Sequence, residues 1–476
     1  MTRPPDVVRI ATPGEGVHDR DAALVRAIGL GGATLLVIGN VIGSAIFLTT
    51  GVMAERLPST SLILIAWAAG GVIALCGGLT YAEMGAMFPR SGGLYVFLEE
   101  AYGPIWGFLF GWAGVAVVLT GSVAAVAVGF AEYFGYFVPA LSTSREAVAL
   151  PMPWGVLHIS AGQFVAAASI AVLGAVNYVG VRTGNLVQAF LTVIKVAALA
   201  AMPLVALMVM RVQPEFMPIA PPIARPASAF GVAMIAVMWA YEGWYYVAFA
   251  AGEIKNPKRN VPLSLIIGTV SLMAIYVIVN LAYFYSLSIA EMRGVVRIAE
   301  RALTALVGDG GARLVAATVV ISTFGCNAAG VLSSSRVCYA MAADGLFFTA
   351  AGRVHPTYRT PHIAIVLTCV WSALLTLSGT YEQLYTYVTF ASVLFGVLGG
   401  VAIFKLRYSQ PDALRPYRTW GYPIVPAIFV VGLAALVFNT LVERPGESMA
   451  GLGLVALGLP AYWYWSAQRS RETTKA

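Results

Sequence analysis

Apolar stretches of about 20 residues recur along the chain, and short polar segments separate them. A stretch of this length crosses a hydrocarbon core of ~30 Å as a continuous α-helix. The pattern predicts twelve spans, of which the third is long or broken, at 33–57, 61–87, 92–136, 159–181, 184–210, 227–252, 262–288, 312–342, 361–379, 383–404, 422–442 and 448–467. We therefore expect an all-α membrane protein with twelve transmembrane helices.

The composition and the placement of charge agree with this topology. The chain is 59% hydrophobic and 11% charged, whereas soluble domains are roughly 25% charged. Most of the 29 lysines and arginines lie on the side of the membrane where the chain begins and ends. Because such residues are retained in the cytoplasm, we expect both termini there and the chain in the inner (cell) membrane. The net charge of +7 follows from this topology and does not indicate nucleic-acid binding.

Two predicted spans are interrupted by small and polar residues at mid-membrane depth. The first contains Gly-Ser-Ala at 43–45, and the second contains Tyr-Glu-Gly at 241–243. Interruptions at corresponding places in two halves are typical of inverted-repeat transporters with a site at the midplane. The alternative is that Gly39 and Gly43, four residues apart, are helix-packing glycines. The predicted parts are a tail at 1–32, a ten-helix core at 33–404 with halves 33–211 and 227–404, and helices 11 and 12 with the C-terminal tail at 405–476.

A broken helix offers two kinds of free backbone group to a ligand. The start of one half-helix presents N–H groups, and the end of the other presents carbonyls. A carboxylate can bind the amides of Ser44, Ala45 and Ile46. An ammonium can bind carbonyls near Asn40 and Val41, or those at 239–242. A zwitterion needs both kinds at once, so the pair of breaks favours amino acids over sugars or simple ions.

Several stretches of the chain carry a family likeness. They are 42–47, 88–95, 101–104, 241–244, 252–262, 333–336 and 415–417. In these stretches the chain resembles permeases of the amino acid–polyamine–organocation (APC) superfamily, and it is most similar to bacterial L-type (LAT-like) exchangers. The resemblance covers nearly the whole chain. It implies a LeuT-like APC fold, a 5+5 inverted repeat with discontinuous helices 1 and 6.

The resemblance also implies roles for residues in the two interruptions. Gly43 and Ser44 would bind the substrate carboxylate together with Ala45, where the family usually has glycine, so a methyl group narrows the approach. Trp239 would close over the substrate. The predicted substrate-binding residues are Asn40, Val41, Gly43, Ser44, Ala45, Ile46, Trp239, Ala240, Tyr241, Glu242, Gly243, Asn327, Gly330 and Ser392. Further candidates to line a side-chain pocket are Thr120, Ser122 and Tyr387.

Lys195 lies in the apolar run 190–201, where a lysine costs at least ~2.5–3.5 kcal/mol on insertion scales. The resemblance places it beside the Gly43 carbonyl and the hydroxyls of Ser333 and Ser334, where sodium-coupled relatives hold Na⁺. A fixed ammonium there would replace the ion, so we expect sodium-independent transport. The alternative is a lysine that snorkels to the interface. The predicted coupling and gating residues are Lys195, Ser333, Ser334, Trp239 and Glu242.

Glu242 is the carboxylate of the second interruption, and it allows two interpretations. It interacts with the substrate or a proton, or it is a structural acid that accepts hydrogen bonds from the unwound backbone. Since the candidate pocket otherwise looks small and neutral, we expect an exchanger of small neutral L-amino acids that works by alternating access. The alternative is a proton-coupled permease or antiporter for cationic amino acids or polyamines. The HExxH, GxSxG and Walker A patterns are absent, so we expect neither an enzyme nor a metal or cofactor.

The outer segments bear on partners. Animal LAT transporters are disulfide-linked to a heavy chain through a cysteine in the loop between spans three and four, and the corresponding loop here, 139–158, has none. We therefore expect no disulfide-linked heavy chain, and a monomer or weak oligomer in the bilayer. A capping box at Ser288 and Glu291 predicts an amphipathic helix over 288–305 on the outer face. On the cytoplasmic face, Glu253 with Lys255 and Lys258 would form part of a gate.

Overall fold

The computed structural model describes residues 24–152, 155–217, 226–295, 297–378, 381–443 and 445–475. Most of the predicted tail at 1–32 therefore lies outside the described residues. Its last residues, from 24 on, lead into the first helix. The first half of the core has helices α1 (Leu30–Val41), α2 (Ala45–Arg56), α3 (Thr60–Met87), α4 (Leu94–Tyr102), α5 (Pro104–Ala113), α6 (Leu119–Phe137), α7 (Ala161–Val179) and α8 (Val181–Val209).

The second half repeats the pattern of a broken helix followed by long helices. It has α9 (Pro226–Ala240), a 3₁₀ segment (Trp244–Glu253), α10 (Pro257–Ser286), α11 (Ile289–Met292), α12 (Ile298–Val307), α13 (Asp309–Ala343), α14 (His362–Thr376) and α15 (Tyr381–Ser409). Three more helices complete the chain, α16 (Ile424–Glu443), α17 (Pro445–Ala456) and α18 (Gly458–Lys475). Within the described residues, nine helices are long and apolar enough to span a membrane.

The predicted all-α membrane fold is confirmed, with a local addition. The segment between α6 and α7 contains an antiparallel pair of strands, β1 (Glu146–Met152) and β2 (Gly155–Ser160). Ser160 then caps α7 in a capping box with Gln163, which fixes where the chain re-enters the helical bundle. The pair adds two strands to what the apolar pattern presented only as a loop.

The outer segment 288–305 differs from the single helix that we predicted. The capping box of Ser288 and Glu291 is present, but α11 ends at Met292. Arg293 leaves the helical conformation, and α12 begins only at Ile298. The segment therefore forms two short helices, one of which has a buried side formed by Ile298, Ala299, Ala302 and Leu303.

Both interruptions are found where the sequence predicts them. The first break (residues 42–44) separates α1 from α2, and the second break (residues 241–243) separates α9 from the 3₁₀ segment. Gly243 has a φ of +100°, which favours glycine. A Cβ atom at this position would lie 3.3 Å from the Asn40 carbonyl oxygen. The two breaks are thus in direct contact, and glycine is what permits it.

Backbone hydrogen bonds and a buried ion pair link the segments at the face of the bundle where α1 begins, called here the amino-terminal face. Ile28 forms a parallel bridge with Ile254: its N–H donates to the Glu253 carbonyl at 3.0 Å, and its carbonyl accepts from Lys255 at 2.8 Å. The Glu253 carboxylate binds Arg336 through two hydrogen bonds of 2.7 and 2.9 Å. Glu253 is thus paired with Arg336, while Lys255 and Lys258 are exposed, and a gate formed by Glu253 with these two lysines stays a prediction.

Candidate functional site

A cavity lies where the two breaks meet. Its walls come from both broken helices, from α6 and from α13. Ten of the predicted substrate-binding residues line it: Asn40, Val41, Gly43, Ser44, Ala45, Trp239, Glu242, Gly243, Asn327 and Gly330. The structure therefore brings together residues that are almost 300 positions apart in the chain, such as Asn40 and Asn327.

Four predicted residues lie outside the lining. The carbonyl of Ile46 accepts from the Tyr283 hydroxyl at 3.0 Å, and that of Ala240 accepts from the Tyr276 hydroxyl at 2.9 Å. Tyr241 points away and donates to the Trp67 carbonyl at 3.2 Å. Ser392 lies behind the wall, 3.1 Å from the Tyr245 hydroxyl. These residues support the site from outside the cavity.

Sequence reasoning missed part of the wall. Val123 and Val126 on α6 join the anticipated Ser122, and Cys326 on α13 adjoins Asn327 and Gly330. Tyr246 of the 3₁₀ segment also lines the cavity. The one-turn spacing in both helices places each group on one face, so helical periodicity could have extended the prediction. The other two candidates, Thr120 and Tyr387, are absent from the lining, and the Thr120 hydroxyl donates to the Val115 carbonyl at 2.8 Å.

A π-helical turn at Gly114–Val118 lies between α5 and α6. Such turns carry one extra residue and are frequent at functional sites. The Ser122 hydroxyl, which lines the cavity, donates to the Val118 carbonyl at 2.6 Å. The turn thereby sets the position at which the α6 wall meets the cavity.

The start of α2 provides the anion-binding side of the cavity. Ser44 is the N-cap of α2, and its side chain makes no capping hydrogen bond. The first amides of a helix have no intrahelical acceptor and carry the positive end of the helix dipole. Ala45, the first residue of α2, is 4% exposed and lines the cavity. A carboxylate is the kind of group that such amides bind, and its binding here stays a prediction.

Side chains from three other helices occupy the carbonyls of the first break. The Lys195 ammonium donates to the carbonyls of Gly39 at 2.9 Å and Ile42 at 2.5 Å. The Ser322 hydroxyl lies 3.2 Å from the carbonyls of both Ile42 and Gly43. The Tyr276 hydroxyl lies 3.1 Å from the Val41 carbonyl and 2.9 Å from the Ala240 carbonyl, so it bridges the two breaks.

Lys195 lies at the first break as predicted, but it donates to the carbonyls of Gly39 and Ile42 and not to that of Gly43, and its predicted neighbours on α13 are wrong. Lys195 is fully buried and contacts the break, so it does not snorkel to the interface. The hydroxyl beside it belongs to Ser322, which shares the Ile42 carbonyl with it. Ser333 and Ser334 lie about three turns further along α13 and bind elsewhere. Ser333 accepts from Asn40 at 3.5 Å, and Ser334 donates to the Gly330 carbonyl.

The second break presents Glu242 and Trp239 to the cavity. The Glu242 carboxylate accepts from the hydroxyls of Tyr245 at 2.8 Å and Tyr246 at 3.4 Å. Trp239 stacks on Tyr385, with ring centroids 5.8 Å apart and planes 21° apart. Glu242 is the only carboxylate in the described lining, and no lysine or arginine lines it.

Comparison with known proteins identifies the family. The model of the amino acid permease family matches residues 28–456. The chain belongs to this family. The permease is a transporter of the APC superfamily, not an enzyme, and it is a multi-pass membrane protein. It is 31% identical to the serine/threonine exchanger SteT of Bacillus subtilis (strain 168) over 455 residues, which is 94% of this chain and 98% of that protein.

Two human proteins are similar over most of their length. One is the b(0,+)-type amino acid transporter 1, at 27% identity over 90% of the permease and 85% of the human chain. The other is the large neutral amino acids transporter small subunit 2, at 28% identity over 96% and 84%. These names support amino acid transport and likeness to LAT-type exchangers. The four cysteines of the permease are free and buried.

Proposed function

We propose that the permease is a sodium-independent exchanger of small neutral L-amino acids that works by alternating access. The observation that carries the proposal is the Lys195 ammonium on the carbonyls of Gly39 and Ile42. Carbonyl oxygens at the end of a half-helix are the ligands that bind Na⁺ in transporters with broken helices. Here a covalently held cation takes that place.

The electrostatics of this position oppose a second cation. Two unit charges 4 Å apart repel each other by about 4 kcal/mol at an effective dielectric constant of ~20. Na⁺ would also need oxygen ligands that already accept hydrogen bonds from Lys195 and Ser322. Transport through this site therefore needs no Na⁺ gradient.

The cavity lining supports a small, neutral substrate. The lining residues on α6 and α13 include Val123, Val126 and Cys326, which offer largely apolar contact, and Ser122 and Asn327, which offer hydrogen bonds. The SteT relative is named for serine and threonine, whose side chains match such a lining. We infer that alanine, serine and threonine are the substrates to test first.

One observation favours the alternative, a proton-coupled permease or antiporter for cationic amino acids or polyamines. Glu242 is the single carboxylate in the described lining, and no basic side chain there neutralises it. If it faces the substrate side chain, it selects an ammonium or guanidinium group. If it faces the α-ammonium, it serves neutral and cationic substrates alike.

The test uses purified permease in proteoliposomes. Labelled serine should be taken up in exchange for internal serine at equal rates in Na⁺ and in choline buffer. Labelled arginine should exchange poorly at two assay values on either side of neutrality, about pH 6 and about pH 8. Lys195→Met should abolish exchange, because it removes the buried donor from two carbonyls. A strict Na⁺ requirement would overturn sodium independence, and faster arginine uptake at low external pH would establish the alternative.

The same preparation tests the assembly. We propose that the permease works as a single chain, as a monomer or weak oligomer without a disulfide-linked heavy chain, in the inner membrane with both termini cytoplasmic. Exchange by the purified chain alone is the expected result. Activity that appears only after a second protein is added would contradict it.

A further inference from the structure

A polar stripe on α8 faces α1, the first half of the first broken helix. Gln188, Thr192 and Lys195 have four- and three-residue spacing, so they share one helix face, and all three are fully buried. Gln188 Nε2 donates to the carbonyl of Leu35 at 2.6 Å, and Lys195 Nζ donates to that of Gly39 at 2.9 Å. Polar groups inside a membrane are costly unless paired, so such a stripe indicates a function.

The two polar atoms of the Gln188 side-chain amide differ in their hydrogen bonding. Its nitrogen donates to the Leu35 carbonyl and, at 2.8 Å, to the Thr192 hydroxyl, which itself donates to the Gln188 backbone carbonyl. Both groups act as acceptors, so the nitrogen must face them. The amide oxygen Oε1 is buried and has no hydrogen-bond partner among the described residues. An unpaired buried acceptor carries the full cost of its lost hydration.

Gly39 shows that α1 and α8 are built to meet at this amide. A Cβ atom on residue 39 would lie 2.0 Å from Gln188 Nε2 and 2.7 Å from Thr192 Oγ1. Any side chain there would push the amide off the Leu35 carbonyl. Gly39 therefore has a packing role with a definite partner. The amide of Gln188 occupies the space that a side chain at position 39 would fill.

We propose that Gln188 is a positioning residue for transport, which holds α1 against α8 while the amino-terminal face is closed and releases it when that face opens. The bonded nitrogen favours the closed position. The unpaired Gln188 Oε1 favours the release of α1 from α8, because movement of α1 would let a polar group or water reach this oxygen and donate a hydrogen bond to it. The inference rests on amino acid transport by the family and not on the substrate or coupling ion proposed above.

The test is Gln188→Met, which keeps the length of the side chain and removes both polar atoms. Hydrogen exchange of the permease in lipid nanodiscs reports on the two halves of the broken helix separately. Exchange in α1 is expected to rise about five-fold, the effect of one neutral hydrogen bond, while exchange in α2 stays unchanged. KM measured from the amino-terminal face should fall and KM from the opposite face should rise, because the variant shifts the population toward the state in which the amino-terminal face is open.

The matched control is Gln163→Met. Gln163 is also a buried glutamine that donates to a carbonyl, that of Thr376 at 2.8 Å, but it lies on α7 outside the cavity lining. It should lower thermal stability without changing exchange in α1. Unchanged exchange in α1 of folded Gln188→Met protein, or an equal rise in α1 and α2, would overturn the proposal. Gln188→Asn, which keeps the amide but shortens its reach, gives the same comparison with less change in polarity.

Discussion

The buried ion pair of Glu253 and Arg336 yields a prediction whose size follows from its burial. Both side chains are fully buried, and the two hydrogen bonds between them are 2.7 and 2.9 Å long. Glu253→Gln keeps the shape of the side chain and removes its charge, which leaves the guanidinium buried and uncompensated. Breaking such a pair from one side costs about 3–5 kcal/mol of folding free energy.

An exposed pair provides the control. Arg211 and Glu291 are 2.8 Å apart with side chains 39% and 32% exposed. Pairs at that exposure contribute only about 0–1 kcal/mol, because water screens them. Glu291→Gln should therefore have a small effect. The assay is thermal unfolding of both variants in the same detergent, followed by size-exclusion chromatography of the heated samples.

A double substitution separates charge from packing. Replacing a buried pair by apolar residues of similar volume is often neutral or stabilising. Glu253→Leu with Arg336→Met should thus recover most of the stability that Glu253→Gln loses. The reasoning fails if Glu253→Gln is no less stable than Glu291→Gln, or if the double variant is less stable than the single one.

Two further predictions concern the hydroxyl between the breaks and the outer ion pair. Tyr276→Phe removes a hydroxyl whose single proton lies between the carbonyls of Val41 and Ala240, and it should raise KM about five-fold, the effect of about 1 kcal/mol. Tyr241→Phe, whose hydroxyl binds outside the cavity, should leave KM unchanged in the same exchange assay. Hydrogen bonds from Arg211 and Ser288 lower the pKa of Glu291 to about 2. A lowered pKa stabilises the fold fully at a pH above the ordinary pKa of a glutamate, and this stabilisation is lost as the pH falls towards about 2. Wild type should therefore melt at a higher temperature than Arg211→Met at neutral pH, and the difference should vanish in acid.

The length and placement of apolar residues predicted most of the fold. The predicted span 159–181 corresponds to α7 (Ala161–Val179), and the predicted span 61–87 to α3 (Thr60–Met87). Both breaks were predictable because glycine and polar residues are conspicuous inside apolar runs. The strand pair was not, since pairing between β1 and β2 depends on contacts that a loop composition does not encode.

The backbone groups of the site could be predicted from the sequence, but most of the side chains that bind them could not. The amides and carbonyls of the breaks follow from the interruptions themselves, whereas the donors that reach them depend on how α8, α10 and α13 are rotated. The family likeness of 333–336 pointed to Ser333 and Ser334, yet Ser322 is the serine that shares the Ile42 carbonyl with Lys195. Tyr276 lies in an apolar helix and carries no motif. The tertiary packing of helices selected these residues.

The hydrogen bonds at the two breaks bear on where a zwitterion places its ammonium. Every carbonyl from Gly39, near the end of α1, to Gly43 in the first break already accepts from the protein: Gly39 and Ile42 from Lys195, Asn40 from Cys326, Val41 from the Gly43 N–H and Gly43 from Ser322. No hydrogen bond from the described residues reaches the carbonyls of Tyr241 and Glu242. An ammonium at the first break must displace a donor, whereas at the second it meets free carbonyls beside a carboxylate. We infer that the substrate bridges the breaks, with its carboxylate on α2 and its ammonium on the second break. Binding would then draw the two broken helices together. The contacts that select an amino acid would thus couple its binding to the positions of both broken helices.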